Sequence, residues 1–210
     1  MIRLWHVAQS RSFRVLWALE EIGVDYELIR CALMDRALRA PEHLARSPAG
    51  RVPALEDGTT VLSESGAILT WLAETHAPHL RVAEGAVGRA EFLQALHYAE
   101  TLGAHLANLT QHHIVLRDDR MRSPTVMRLE AQRLANALWV VGPHWATGSF
   151  SVADIALGYS VWLAQRFVTL PEAAAAYLAS CQMRPGFLRA QAQDGPPEIY
   201  LREFYPPLRE

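Results

Sequence analysis

The chain opens on a short apolar run, Ile2 to Val7, that breaks at the polar cluster Gln9-Ser10-Arg11-Ser12. Val15, Leu16, Ala18, Leu19 and Ile22 then recur at helical spacing, so the pattern predicts a strand, a turn and a helix. Gly23 supplies a helix stop, and Tyr26 to Arg30 reads as a second strand. A strand-helix-strand unit implies a parallel pair with a right-handed crossover. After a weakly helical stretch from Pro41 to Arg46, two short strands, Val52 to Glu56 and Thr59 to Ser63, flank the hairpin signal Asp57-Gly58. Ser65 then precedes Ile68, Leu69, Trp71 and Leu72, a helix of roughly three turns.

That order of elements is the order of a thioredoxin-like fold, a small mixed sheet with helices on both faces. From Pro78 to Gly85 the periodicity lapses, and beyond it the pattern is helical throughout. Phe92, Leu96, Ala99, Leu106 and Leu109 mark one long helix, Val126 to Val141 another, and Ile155, Tyr159, Trp162 and Leu163 a third. Shorter helices are expected after Pro171 and Pro185. The expected organisation is therefore an α/β domain over residues 1–78 and an all-helical bundle over 85–210.

Composition narrows the function classes. The 20 basic residues are all arginine, against 22 acidic ones, for a formal net charge of −2. Without lysine, Schiff-base and phosphate-loop lysine chemistry are excluded, and the arginines are too scattered to track a nucleic-acid backbone. No basic and apolar leader opens the chain and no apolar run approaches membrane-spanning length, so a cytoplasmic location without membrane attachment is expected. Cys31 and Cys181 make no metal-ligand spacing, and no His-Glu pattern of the metalloenzyme kind surrounds His105, His112 and His113, so no metal is expected. Trp139, Trp145 and Trp162 could line an aromatic pocket, but aromatics at helical spacing are usually core.

Three places carry candidate chemistry. At the turn around Ser10 and Ser12, free backbone N–H groups and the positive end of a helix dipole favour an anion. No cysteine stands there, so the turn offers hydroxyls rather than a redox thiol, and either serine could equally be a helix cap. Pro53 opens a strand; a cis Val52–Pro53 bond would present main-chain groups to an extended ligand, whereas a trans bond would make it an ordinary edge proline. Glu64 and Ser65 open the next helix, where the serine can meet a carboxylate and the glutamate an ammonium, the two charges of an α-amino acid.

In order and spacing, S-x-S-x-R-V-L-W-A-L-E-E, S-P-A-G-R-V-P-A-L and S-E-S-x-A-I-L-x-W-L resemble the glutathione transferases across the whole N-terminal domain. The likeness is greatest to the serine-type bacterial and fungal members. Phe150 to Asp154 adds the capping-box motif that starts a core helix of the family's second domain. The resemblance implies that Ser10 donates to the glutathione sulfur, with Ser12 as competitor. It implies that Val52 pairs with the cysteinyl main chain, that Pro53 is cis, and that Glu64 and Ser65 hold the γ-glutamyl end. Arg51 would meet the glycyl carboxylate.

The function so implied is a glutathione transferase, with glutathione as co-substrate, a hydrophobic electrophile as second substrate, a homodimeric assembly and a role in detoxification. The competing expectation is a non-catalytic binding or interaction module that keeps the fold. Residues 109–124 are expected to border the electrophile pocket and leave the electrophile unspecified.

Overall fold

The computed structural model describes residues 1–33, 35–142 and 149–206. Trp145 therefore lies outside the described residues. Strands β1 (Ile2–His6), β2 (Tyr26–Arg30), β3 (Ala54–Asp57) and β4 (Thr60–Ser63) form one sheet in the order β2-β1-β3-β4. β1 and β2 are parallel, with Ile2 opposite Tyr26, and the other neighbours are antiparallel. Helix α1 (Ser12–Ile22) makes the crossover, α2 (Pro41–Arg46) precedes the hairpin, and α3 (Ser65–Thr75) follows it. This is the mixed sheet and helix order of a thioredoxin-like domain.

Gly23 ends α1 at φ 75°, in the left-handed region where a side chain would be strained, and its N–H returns to the Leu19 carbonyl. The second half is helical: α4 (Arg89–Thr110), α5 (Pro124–Leu138), α6 (Val152–Ala164), α7 (Glu172–Gln182) and α8 (Pro185–Asp194). A π-turn at Gln111–Val115 ends α4.

The chain divides into two compact units, one of residues 1–83 and 183–201, the other of 84–182 and 202–210. The return of 183–201 to the first unit is not visible in the periodicity, which only shows a short helix after Pro185. Its cause lies in α1, whose residues from Ser12 to Leu19 are all buried. A helix apolar nearly all round needs cover on the side away from the sheet. α8 supplies it: Phe187 meets Phe13 and Trp17 edge-on, with ring centroids 5.5 and 5.0 Å apart.

Arg184 donates to both oxygens of Glu21 at 2.8 and 2.9 Å, and Glu21 also accepts from the Trp17 indole at 2.9 Å. The start of α8 is thereby fixed to the end of α1. The two helices run antiparallel, so the last residue of α8, Asp194, reaches the turn before α1.

In the second unit, α4 packs on α5 and α6, and every residue of α6 but Asp154 is buried.

Candidate active site

The sheet register brings the three sequence-selected places to one edge. Trp5 pairs with Ala54, and Ala54 pairs with Ser63. The C-terminal end of β1, the residues just before β3 and the end of β4 are therefore level with one another. Ser10–Ser12, Val52–Pro53 and Glu64–Ser65 all extend from that level. Ligands of open mixed sheets bind at such a switch point, where the chain leaves β1 in one direction and arrives at β3 from another.

The Val52–Pro53 bond is cis. Among the described residues, neither the Val52 main chain nor the Ser65 amide has a hydrogen-bond partner. Two amides and a carbonyl at this edge are thus not engaged within the described residues. Arg51 is exposed, and its main chain is held by the Ser47 hydroxyl at 3.3 Å and the His43 ring at 3.1 Å.

Among the described residues, the non-glycine positions with positive φ are Gln9 (63°) and Glu64 (73°). Each immediately precedes one of the serine turns. Such conformations cost on the order of 1–3 kcal/mol and persist only where surrounding contacts enforce them. Gln9 shows the enforcement: its N–H donates to both Asp194 carboxylate oxygens, and its side-chain oxygen accepts from the Ile199 and Tyr200 amides at 3.1 and 2.8 Å. The effect is to aim the two serines from a fixed turn.

The serines themselves differ. Ser12 is completely buried; its Oγ lies 2.8 Å from His6 Nδ1 and 2.7 Å from Ser10 Oγ, and accepts from the Val7 amide at 3.2 Å. Ser10 is only partly buried, and its Oγ accepts the Ser12 amide at 3.2 Å. That bond occupies the first amide of α1, from the residue just ahead of the N-cap Arg11. At α3, Ser65 is buried and accepts from Arg14 Nη1 at 3.1 Å, while Glu64 is exposed.

Three residues that the sequence reading left unassigned complete the edge: Arg14, His6 and Asp194, all at least nine-tenths buried. Arg14 carried a signal, a guanidinium set inside the apolar run Phe13 to Leu19. His6 and Asp194 carried none, because their pairing spans 188 positions.

Comparison with known proteins shows the family. Residues 1–74 match the family model for the glutathione S-transferase N-terminal domain. Maleylacetoacetate isomerase of Rhizobium meliloti is 32% identical over 169 residues, covering 75% of this chain and 78% of that protein. The chain belongs to the glutathione S-transferase family.

Glutathione S-transferase 4 of Zea mays is 54% identical over 76 residues, 36% of this chain but only 34% of the maize protein. The alignment with that relative thus spans about a third of its length. In fold, the glutathione transferase URE2P6 of Phanerochaete chrysosporium, solved with oxidized glutathione, superposes with a TM-score of 0.81 over 92% of this chain and 96% of that one, at 22% identity. The thioredoxin-like and helical halves are both within that superposition. Among the described residues no helix is long and apolar enough to cross a membrane, and no group of three or more His, Cys, Asp or Glu side chains is placed to hold a metal.

Proposed function

We propose that this transferase-family protein ionises the thiol of glutathione at Ser10 and directs the thiolate onto an electrophilic carbon of a small hydrophobic molecule. The observation that carries the reading is the contrast in burial between the two serines. Ser12 has 0% exposure and spends its hydroxyl on neighbours inside the fold, whereas Ser10 stands partly open at the start of α1.

In this reading the Val52 main chain pairs with the cysteinyl residue, and Pro53 sets the angle of that approach. The Ser65 amide and hydroxyl take the γ-glutamyl carboxylate, and Glu64 takes its ammonium. Arg51 takes the glycyl carboxylate. A free thiol has a pKa near 8.5 and is a few per cent ionised at pH 7. Lowering it by about two units corresponds to about 2.7 kcal/mol. A hydroxyl donor and the helix N-terminus both favour the charged form. No covalent enzyme intermediate is needed, because activation and proximity suffice. The same reading carries a cytoplasmic homodimer with a detoxifying role.

Ser10→Ala is expected to lower turnover of a generic aryl halide by about a hundredfold, the rate equivalent of that stabilisation, with little change in KM for glutathione. Unchanged turnover overturns the assignment. The Rhizobium relative, which covers most of this chain, favours a second reading: glutathione adds to a cis-alkene and leaves again after rotation, so that the net reaction is isomerisation. Incubation with maleylacetoacetate and product analysis separates the two. Isomer without net consumption of glutathione supports the second.

A further inference from the structure

Behind Ser10 runs a continuous chain of hydrogen-bonding groups, from Ser10 Oγ to Ser12 Oγ (2.7 Å), to His6 Nδ1 (2.8 Å), and from His6 Nε2 to Asp194. Counting protons along it fixes two arrangements. His6 Nε2 faces only acceptors, the Asp194 main-chain oxygen at 3.1 Å and its Oδ1 at 3.2 Å, so Nε2 carries a proton. Ser12 Oγ accepts from the Val7 amide and has one proton to give.

If Nδ1 is bare, the Ser12 proton goes to Nδ1 and the Ser10 proton is drawn inward to Ser12 Oγ. If Nδ1 is protonated, it donates to Ser12 Oγ, and the Ser12 proton turns to Ser10 Oγ. The Val7 carbonyl, at 3.2 Å, is the more distant competitor for it. In that second arrangement Ser10 Oγ accepts from both the Ser12 hydroxyl and the Ser12 amide. Its own proton then has no acceptor inside the fold and points outward. The Asp194 carboxylate, 5% exposed and facing Nε2, is the counter-charge of this arrangement.

We propose that Asp194, acting through His6 and Ser12, is a positioning residue that turns the Ser10 proton outward toward the sulfur. The inference rests on the function proposed above and adds a cause for the donor's direction. Two further charged or titratable residues of the described chain bond to this group from β2 and just after it. Arg30 donates to the Asp194 and Gln193 carbonyls, and the Cys31 amide donates to the His6 carbonyl. Neither meets the ring nitrogens.

The test is a pH titration of the ultraviolet absorbance of the thiolate of bound glutathione, run beside steady-state kinetics. Asp194→Asn keeps the shape and removes the counter-charge. His6→Gln keeps a donor toward Asp194 and removes the atom that meets Ser12. Each is expected to raise the midpoint by about one pH unit, a tenfold loss of thiolate near neutrality, while KM for glutathione stays within about twofold.

In a Ser12→Ala background the chain is cut, so adding Asp194→Asn is expected to shift the midpoint no further. An equal shift in both backgrounds overturns the proposal, because Asp194 would then act only by holding the Gln9 turn. No shift from either single variant overturns it as well. If Asp194→Asn does not fold, His6→Gln alone and in the Ser12→Ala background decides by the same criterion. Wild-type protein that binds glutathione without ionising it removes the proposed function and this inference together, whereas an ionised wild type with an indifferent Asp194 removes only the inference.

Discussion

Of the helices that start at or beside a serine, α1 in one compact unit and α6 in the other are built differently there. At α6 the serine and an aspartate three residues on close upon each other: the Ser151 amide and hydroxyl donate to Asp154 Oδ2 at 2.9 and 3.0 Å, and the Tyr177 hydroxyl donates to Asp154 Oδ1 at 3.0 Å. Burial raises the Asp154 carboxyl above its ordinary value in spite of these bonds. Each of these partners comes from the same unit, and each hydroxyl is turned onto the carboxylate. At α1 the partners form a line rather than a ring, and the line ends on the partly open Ser10. A serine that leads a helix is thus structural where its neighbours close the circuit and a candidate for chemistry where they leave it open.

The largest expected effect tests that contrast by truncation. Asp154→Ala leaves the Ser151 amide without its acceptor and the Tyr177 hydroxyl with only the longer bond to the Asp154 carbonyl in a half-buried place, at about 2 kcal/mol of stability. Ser10→Ala removes one cap-type bond at a partly open position, at about 1 kcal/mol. Urea denaturation of both variants measures the difference. Equal losses would mean that α1 leans on its serine as α6 does, and that the open circuit is no guide to function.

The contrast also explains what could be read from the chain. Strand-helix-strand order, the Asp57-Gly58 hairpin and the long apolar stripe of α4 follow from local periodicity, so the fold class was legible. The candidate residues Ser10, Val52, Pro53, Glu64 and Ser65 were legible as motifs because each sits where one element gives way to the next. Ser10 and Ser12 could not be told apart, because burial depends on what packs over them. α8 does that packing, and its arrival is a tertiary event with no periodic trace. The role of Asp194 was hidden for the same reason. An aspartate at the end of a short helix reads as solvated until the antiparallel course of α8 along α1 carries it to Gln9 and His6.

Acid loads the two units in different ranges, which sharpens the comparison without truncating either helix start. In the second unit His113 stacks near Phe167 and Tyr205, with ring centroids 5.5 and 5.8 Å away. Burial, with the charges of Arg122, His112 and Arg202 added, lowers its pKa from 6.5 to about 4. The unfolded chain therefore takes up a proton that the folded one refuses as pH falls from 6.5 toward 4, and stability declines across that window. His113→Phe is expected to flatten the decline, read as the urea midpoint of helical circular dichroism against pH. A decline that persists unchanged in the variant would move the cause elsewhere.

The first unit answers at lower pH and more weakly. Arg46 donates to Glu56 at 2.6 Å and Arg3 at 3.3 Å, and these bonds hold the Glu56 carboxyl below its usual value, Arg46 having the larger effect. A depressed carboxyl contributes stability that is complete above the unfolded pKa, about 4.3, and is lost as pH falls through the lower folded value. The pair is largely solvent-screened, so the contribution is expected to be under about 1 kcal/mol. Glu56→Gln should remove this part of the acid slope below about pH 4 and leave the His113 window untouched. If instead Glu56→Gln alters the slope between pH 6.5 and 4, the units do not respond to acid separately. A helix start in one could then not be weakened independently of its counterpart in the other.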